Sequence, residues 1–219
     1  MSASMKETST PFSDPSIQPL ADAVAAGDLD RIRELAPAHD LSTQGEDGVT
    51  LLEWAIWNQQ PAALATLLEV GADPAQPATD QDTVAHMAAM VEDPQYLKVL
   101  IDHGAPVDTV SPRGGWTPVF RAVQSRRNAQ IDMLIGAGAD LQRKDSMGNG
   151  LLHVAANVND AEGVLRLLNA GVDPDAANGR GETFQQALFA GSDARLNAPA
   201  RAARQEVRDW LKAKGIATP

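Results

Sequence analysis

The sequence predicts an all-α solenoid of about six helix-turn-helix units, joined by short β-hairpin or turn connections and stacked in a row. Three observations predict it. Four segments close alike, LLEVGADP, LIDHGAPVD, LIGAGADL and LLNAGVDP, and their glycines Gly71, Gly104, Gly138 and Gly171 lie 33, 34 and 33 residues apart. Five segments open alike, at residues 48, 81, 115, 148 and 181, with spacings of 33, 34, 33 and 33. Between each opening and each close, apolar residues recur at i, i+3 and i+4 in two separate runs, the signature of two short amphipathic helices.

Taken in order, the first unit spans 16–47, with Leu20, Ala23 and Val24 on one stripe and Ile32, Leu35 and Ala36 on the other. Its ending, LAPAHDLS, lacks the Gly-Ala-Asp close. Terminal units have one face in water and are usually atypical, so 16–47 reads as a cap. Residues 1–15, rich in Ser, Thr and Pro, read as a mobile tail. The second unit, 48–80, carries Leu52, Ala55 and Ile56, then Leu64, Leu67 and Leu68; the third spans 81–114. In 115–147 the stripes are Val119, Ala122, Val123 and Ile131, Leu134, Ile135, and in 148–180 they are Leu152, Ala155, Ala156 and Val164, Leu167, Leu168. No such pair can stand alone, so each must bury its stripes on its neighbours.

The punctuation agrees. Thr50, Thr83 and Thr117 stand where a hydroxyl caps the first helix, Pro118 takes the tolerated first position, and the recurring glycine suits a left-handed stop after the second helix. The last unit, 181–215, opens normally, but its second stripe arrives late, as Val207, Trp210 and Leu211. About ten residues around SDARLNAPAR, near 192–201, read as an insertion: a plain loop or a partner-specific feature. Arg201, Arg204, Arg208 and Lys212 then fall on one face of the final helix, where the plain reading is a solvated outer face.

These openings and closes resemble the ankyrin repeat, whose pattern runs roughly G-x-T-P-L-H-x-A-A and ends a second helix with L-L-x-x-G-A-D; the likeness covers about residues 16–215. The resemblance implies that hairpin tips and first-helix ends line a concave groove that binds a protein. On this sequence those positions are Glu46, Asp47 and Val49; Asp80 and Asp82; Arg113 and Trp116; Met147 and Asn149; Arg180 and Glu182; and, at the helix ends, Trp57, Asn58, Met90, Gln124 and Asn157. Trp116 lies one residue past Gly115, off the apolar stripe and before Thr117, and Trp57 is displaced from Ala55 and Ile56, so both are expected to face outward. Trp54 and Trp210 read as structural. The resemblance also gives His86 and His153 the task of tying neighbouring hairpins together.

Composition narrows the function classes. With 43% hydrophobic residues in 219 the chain can bury a core, and with no cysteine it has neither disulfides nor thiolate chemistry. The charge is divided: residues 1–110 carry a balance of −14 and 111–219 one of +3. Such a chain is poorly suited to a nucleic acid, whose phosphates call for clustered Lys and Arg, and its acidic half suits a basic protein surface. No uncharged run approaches the roughly 20 residues of a membrane span, and no signal-like segment opens the sequence, so a cytoplasmic, monomeric protein is expected, provided no leader precedes it. His86 and His153 stand two units apart, roughly 15 Å or more at about 8–10 Å per packed helix, too far to share a metal. His39 and His103 have no second ligand at helical spacing. Gly136-Ala-Gly138 closes a helix instead of opening one after a strand, so it is no phosphate cradle. No cofactor, metal or catalytic group is expected. The leading reading is a non-catalytic binding module that occludes one protein partner, in the manner of an immunity protein neutralising a bacterial toxin or effector; the alternative is an adaptor bridging two proteins without inhibition.

Overall fold

The computed structural model describes residues 10–218 of the chain, and the described residues contain helices and turns but no strand. In order the helices are α1 (Gln18–Ala26), α2 (Leu29–Leu35), α3 (Leu51–Trp57), α4 (Pro61–Glu69), α5 (Val84–Met90), α6 (Gln95–Asp102), α7 (Pro118–Gln124), α8 (Asn128–Gly136), α9 (Leu151–Asn157), α10 (Ala161–Asn169), α11 (Phe184–Leu188) and α12 (Ala198–Ala213). The hairpins are turns, most closed by one backbone pair: Gly45 N–H to Val49 O, Asp145 N–H to Asn149 O and Asn178 N–H to Glu182 O, at 2.8 Å each. The chain forms two compact units, one running up to Ala88 together with Gln95–Pro106, the other comprising Ala89–Pro94 and Val107 onward.

In the first unit α1 packs on α2 and α3, and α4 packs on α2, α3 and α6. The expected stripes supply the core: Leu20, Val24, Ile32, Leu52, Ala55, Ile56, Leu64 and Leu67 are buried. Leu35, second in its stripe, and Leu68, third in its own, are half-buried. The proposed tail needs correction. Residues 1–9 lie outside the described residues, but Phe12 is 1% exposed, its ring edge-on to Trp54 at 6.4 Å, and Glu46 N–H donates to Pro11 O at 2.9 Å. Burial of one aromatic side chain outweighs the turn-forming character of the prolines around it.

In the second unit α7 packs on α8 and α9, α9 on α10 and α11, and α10 on α12. Val119, Phe120, Ile131, Leu134, Val164, Leu167, Phe184, Leu188, Val207 and Leu211 form its core. The second-helix stops are as the glycines demand: Gly138 and Gly171 have φ of 84° and 90°, and an added Cβ would meet open space, so conformation alone selects glycine there.

The end of the chain differs from expectation in part. The last second helix arrives late, as expected: residues 189–197 separate α11 from α12, where only 158–160 separate α9 from α10, and α12 then runs for 16 residues against 9 in α10. Asn197 caps it, its Oδ1 accepting from Ala200 N–H at 2.9 Å, and a proline occupies its first turn. The last four residues of the stretch 192–201 already belong to this helix. Its basic face is not simply solvated. Arg204 is 4% exposed, donating to Asp193 Oδ1 at 3.0 Å and to Gly191 O at 3.1 Å. Arg208 donates to Asp193 Oδ2 at 2.7 Å and lies over the Phe189 ring, while Arg201 donates to Asp193 O and Leu196 O. These arginines hold the 191–197 segment against the helix that follows it.

Candidate functional site

The outward surface is built by how each first helix begins. In the first unit Thr50 Oγ1 accepts from Glu53 N–H at 3.2 Å and Glu53 Oε2 accepts from Thr50 N–H at 3.3 Å, a reciprocal cap. The same Oε2 accepts from Thr79 Oγ1 at 3.0 Å, so one carboxylate starts α3 and fastens the next turn. At the equivalent place before α5, His86 Nδ1 accepts from Thr83 N–H at 3.1 Å. Thr117 departs from this scheme: its hydroxyl is buried and makes no cap, and the proline after it starts α7.

Glu53 is only 1% exposed. Burial raises its carboxyl above the ordinary 4.5, aided by the charge of Asp82 and opposed by the bonds from Thr79 and Thr50. The folded protein therefore binds this proton more tightly than the unfolded chain does. Its favourable contribution is present at low pH and lost as pH rises through the folded value. Glu53→Gln is expected to gain stability over the parent at pH 7.5, with the gain shrinking toward pH 4; urea unfolding at both pH values checks it, and a pH-independent difference would refute the assignment.

The fastened turns present their tips to water. Glu46, Asp47 and Asp80 are exposed, and Asp47 and Asp80 have φ of 56° and 59°, a left-handed conformation that Asp tolerates at a turn. Asp82 is half-buried, and Val49 is buried at 2%, so the tip position expected for Val49 is wrong: it points into the core. At the end of α3 Trp57 is 49% exposed, its ring edge-on to Trp54 at 6.2 Å. Asn58 is half-buried, its Nδ2 donating to Trp54 O. Trp54 is structural as expected: it is 6% exposed and its Nε1 donates to Ala21 O at 3.0 Å.

In the second unit Met90, Arg113, Gln124, Met147, Asn157 and Arg180 are exposed, Met147 most among the large apolar side chains at 64%. Trp116 is half-buried. It packs on Phe120, carries the Arg121 guanidinium over its ring at 5.1 Å, and donates from Nε1 to Asp145 Oδ2 at 3.4 Å. Its expected outward direction holds for only part of the ring. Asn149 is a rung more than a tip: its Nδ2 donates to Asp145 Oδ2, and its Oδ1 accepts from Asn178 Nδ2 at 3.3 Å. Asn178 Oδ1 in turn accepts from Glu182 N–H at 3.1 Å, and His153 Nε2 bonds Glu182 O at 2.9 Å. Sequence reasoning missed Asp145 and Asn178 as the braces of this ladder. The available signal was an Asp or Asn three residues before Gly148 and Gly181, where a side-chain oxygen can close a turn.

Among the described residues the geometry offers a surface. His39 and His103 are tied to Leu35 O and Val99 O at helix ends. Among the described residues no cluster of three or more His, Asp or Glu could hold a metal, and no helix is long and apolar enough to cross a membrane. Stacked helix pairs with braced turns and wet tips define a helical repeat scaffold, a class that works through its surface.

Comparison with known proteins gives that class its family. A model for ankyrin repeats in three copies matches residues 73–145, and one for a single ankyrin repeat matches 147–179. The chain is 40% identical over 155 residues to Protein PhlB of Serratia liquefaciens, covering 71% of this chain and 68% of that protein. It is 29% identical over 153 residues to SH3 and multiple ankyrin repeat domains protein 2 of Homo sapiens, but spans only 8% of that protein's length. A crystallised ankyrin repeat domain from Acinetobacter baumannii AYE superposes with a TM-score of 0.74 at 25% identity, covering 91% of this chain and 98% of that one. The chain belongs to the ankyrin-repeat family. It is a protein-interaction module, of a family whose members are typically non-catalytic.

Proposed function

We propose that the turn tips and first-helix ends bind a single protein partner with a basic surface and inhibit it, in the manner of an immunity protein acting in the cytoplasm as a monomer. In the first unit the contacts are Asp47, Trp57, Asn58, Asp80 and Asp82; in the second they are Met90, Arg113, Trp116, Gln124, Met147, Asn149, Asn157 and Arg180. The observation that carries the reading is the contrast between two tryptophans three residues apart, Trp54 at 6% exposure and Trp57 at 49%. The exposed half of this indole, beside acidic tips, adds nothing to the core, whereas tryptophan is among the residues most enriched as anchors at interfaces. The acidic tips Glu46, Asp47 and Asp80 supply the complementary field that speeds encounter with a basic partner.

The bridging alternative has less support. Bridging needs a second surface, for which the basic face of the last helix is the candidate, and three of the four cations there are engaged by the chain's own 191–197 segment.

The test begins with affinity purification and mass spectrometry to recover the partner, followed by titration into that partner's activity assay. Loss of activity at one-to-one stoichiometry is expected; full activity with a saturated complex would mean bridging. Trp57→Ala is expected to weaken binding by about 2 kcal/mol, roughly 30-fold, and an affinity within twofold of the parent would remove Trp57 from the site.

A further inference from the structure

At the other ends of the first helices the second unit fastens successive turns by a repeated device. Arg127 and Gln130, at the cap and third positions of α8, reach back to the preceding turn: Arg127 Nε donates to Met90 O at 2.8 Å and Gln130 Nε2 to Val91 O at 2.7 Å. Arg204 does the same service farther on, Nη2 to Asn159 Oδ1 at 3.5 Å. Between these two junctions the device is missing. The cap and third positions of α10 are Asp160 and Gly163, and Asp160 folds onto its own helix, Oδ1 accepting from Gly163 N–H at 3.0 Å. Gly163 permits this, since a Cβ there would stand 2.3 Å from Asp160 Oδ2.

What remains is a cleft of about 280 Å³ lined by Arg126 and Asn128, by Asn159, Asp160 and Glu162, and by the first turns of α12. It falls below the roughly 300–1,000 Å³ of sites for drug-sized molecules and suits one long side chain. Its chemistry is that of an acceptor. Asp160 is 9% exposed, and its Oδ2 and Asn128 Oδ1 are buried without a hydrogen-bond partner, a state that native structures rarely leave uncompensated. Glu162 adds an exposed carboxylate at the rim, and Arg126, also exposed, is the one cation lining the cleft.

We propose that this cleft takes an arginine side chain from a protein partner. The neighbouring junctions are the template, because the chain itself places a guanidinium, from Arg127 and from Arg204, at each of them. A planar fork that donates in two directions matches acceptors divided between two turns, which a single ammonium does not. Entry displaces Arg126 into solvent and brings donors to Asp160 and Asn128. The cleft adjoins Gln124 and Asn157 at the first-helix ends but shares no residue with the surface proposed above, and it can stand if that reading fails.

The test uses the full chain, isotope-labelled, titrated with N-acetyl-arginine amide and separately with its citrulline and lysine counterparts. Saturable shifts confined to the Asn128 and Asn159 side-chain amides and the backbone of residues 126–128 and 159–163 are expected with arginine, and at least tenfold weaker responses with the other two. Copying the α8 device, as Asp160→Arg with Gly163→Gln, should fill the cleft and abolish the response. Ala200→Phe, which blocks the cleft from α12 without touching Asp160, should do the same if the double variant fails to fold. Shifts spread over the acidic tips, an equal response to citrulline or lysine, or an undiminished response in Ala200→Phe would overturn the proposal.

Discussion

Trp54→Ala is expected to destabilise the protein by about 3–5 kcal/mol, the range for truncating a buried large aromatic. Three separate losses meet at this position. The indole is 6% exposed, so its apolar surface returns to water and leaves a cavity. Its Nε1–H bond to Ala21 O joins α3 to α1, and removing it leaves a carbonyl without that donor. Its ring is also the common partner of Phe12 and Trp57, edge-on to both at 6.4 and 6.2 Å, a geometry worth roughly 0.5–1.5 kcal/mol per pair beyond burial. Trp57→Ala should cost only about 1 kcal/mol, because it loses one such pair and a half-exposed surface. Urea unfolding of both variants at pH 7.5 decides the matter. Equal losses would mean that Trp57 is a second core residue, and its place in the binding surface would go with that result.

The period of 33 or 34 residues located the helices because each unit's stripes are local, and locality is what sequence patterns record. Leu64 and Leu67, or Val164 and Leu167, are buried where the i, i+3 rule puts them. What the pattern could not supply are contacts made over long distances. Phe12 reads as a stray apolar residue among Ser and Pro until Trp54, 42 positions later, lies against it. Leu168 is buried while Leu68 at the same register is half-buried, because α12 packs over α10. The start of α12 was legible and overlooked: Asn197 followed by Pro199 is a helix cap with a proline in the first turn. On the candidate surface, the exposure of Trp57, Met147, Glu46, Asp47 and Asp80 agrees with the outward positions that the ankyrin resemblance implied. The partial burial of Trp116 depends on Phe120 and Arg121 beside it and on Asp145, 29 positions later in the same repeat.

The Arg204 cluster is where a charge matters most to stability. Asp193→Ala is expected to cost about 2–3 kcal/mol, somewhat below the roughly 3–5 kcal/mol for breaking a fully buried pair, since the Asp193 side chain itself keeps 29% of its surface in water. The larger part of that loss is the charge left behind. Arg204 is 4% exposed and would keep only Gly191 O and the long contact to Asn159. Arg204→Met, by contrast, leaves Asp193 with Arg208 and with solvent, so it should cost less, and the double variant should recover part of the Asp193→Ala loss because no charge is then stranded. The pH dependence has a fixed sign. The bond from Arg208, reinforced by that from Arg204, holds the Asp193 carboxyl below its ordinary 3.8. The stabilisation is therefore complete above that value and fades as pH falls through the lower folded one. Urea midpoints of parent and Asp193→Ala should differ at pH 7 and draw together only as pH falls below 3.8 and through the lowered folded value; midpoints that stay equally far apart at low pH would show that packing of the 191–197 segment, and not its charge, holds the end of the array.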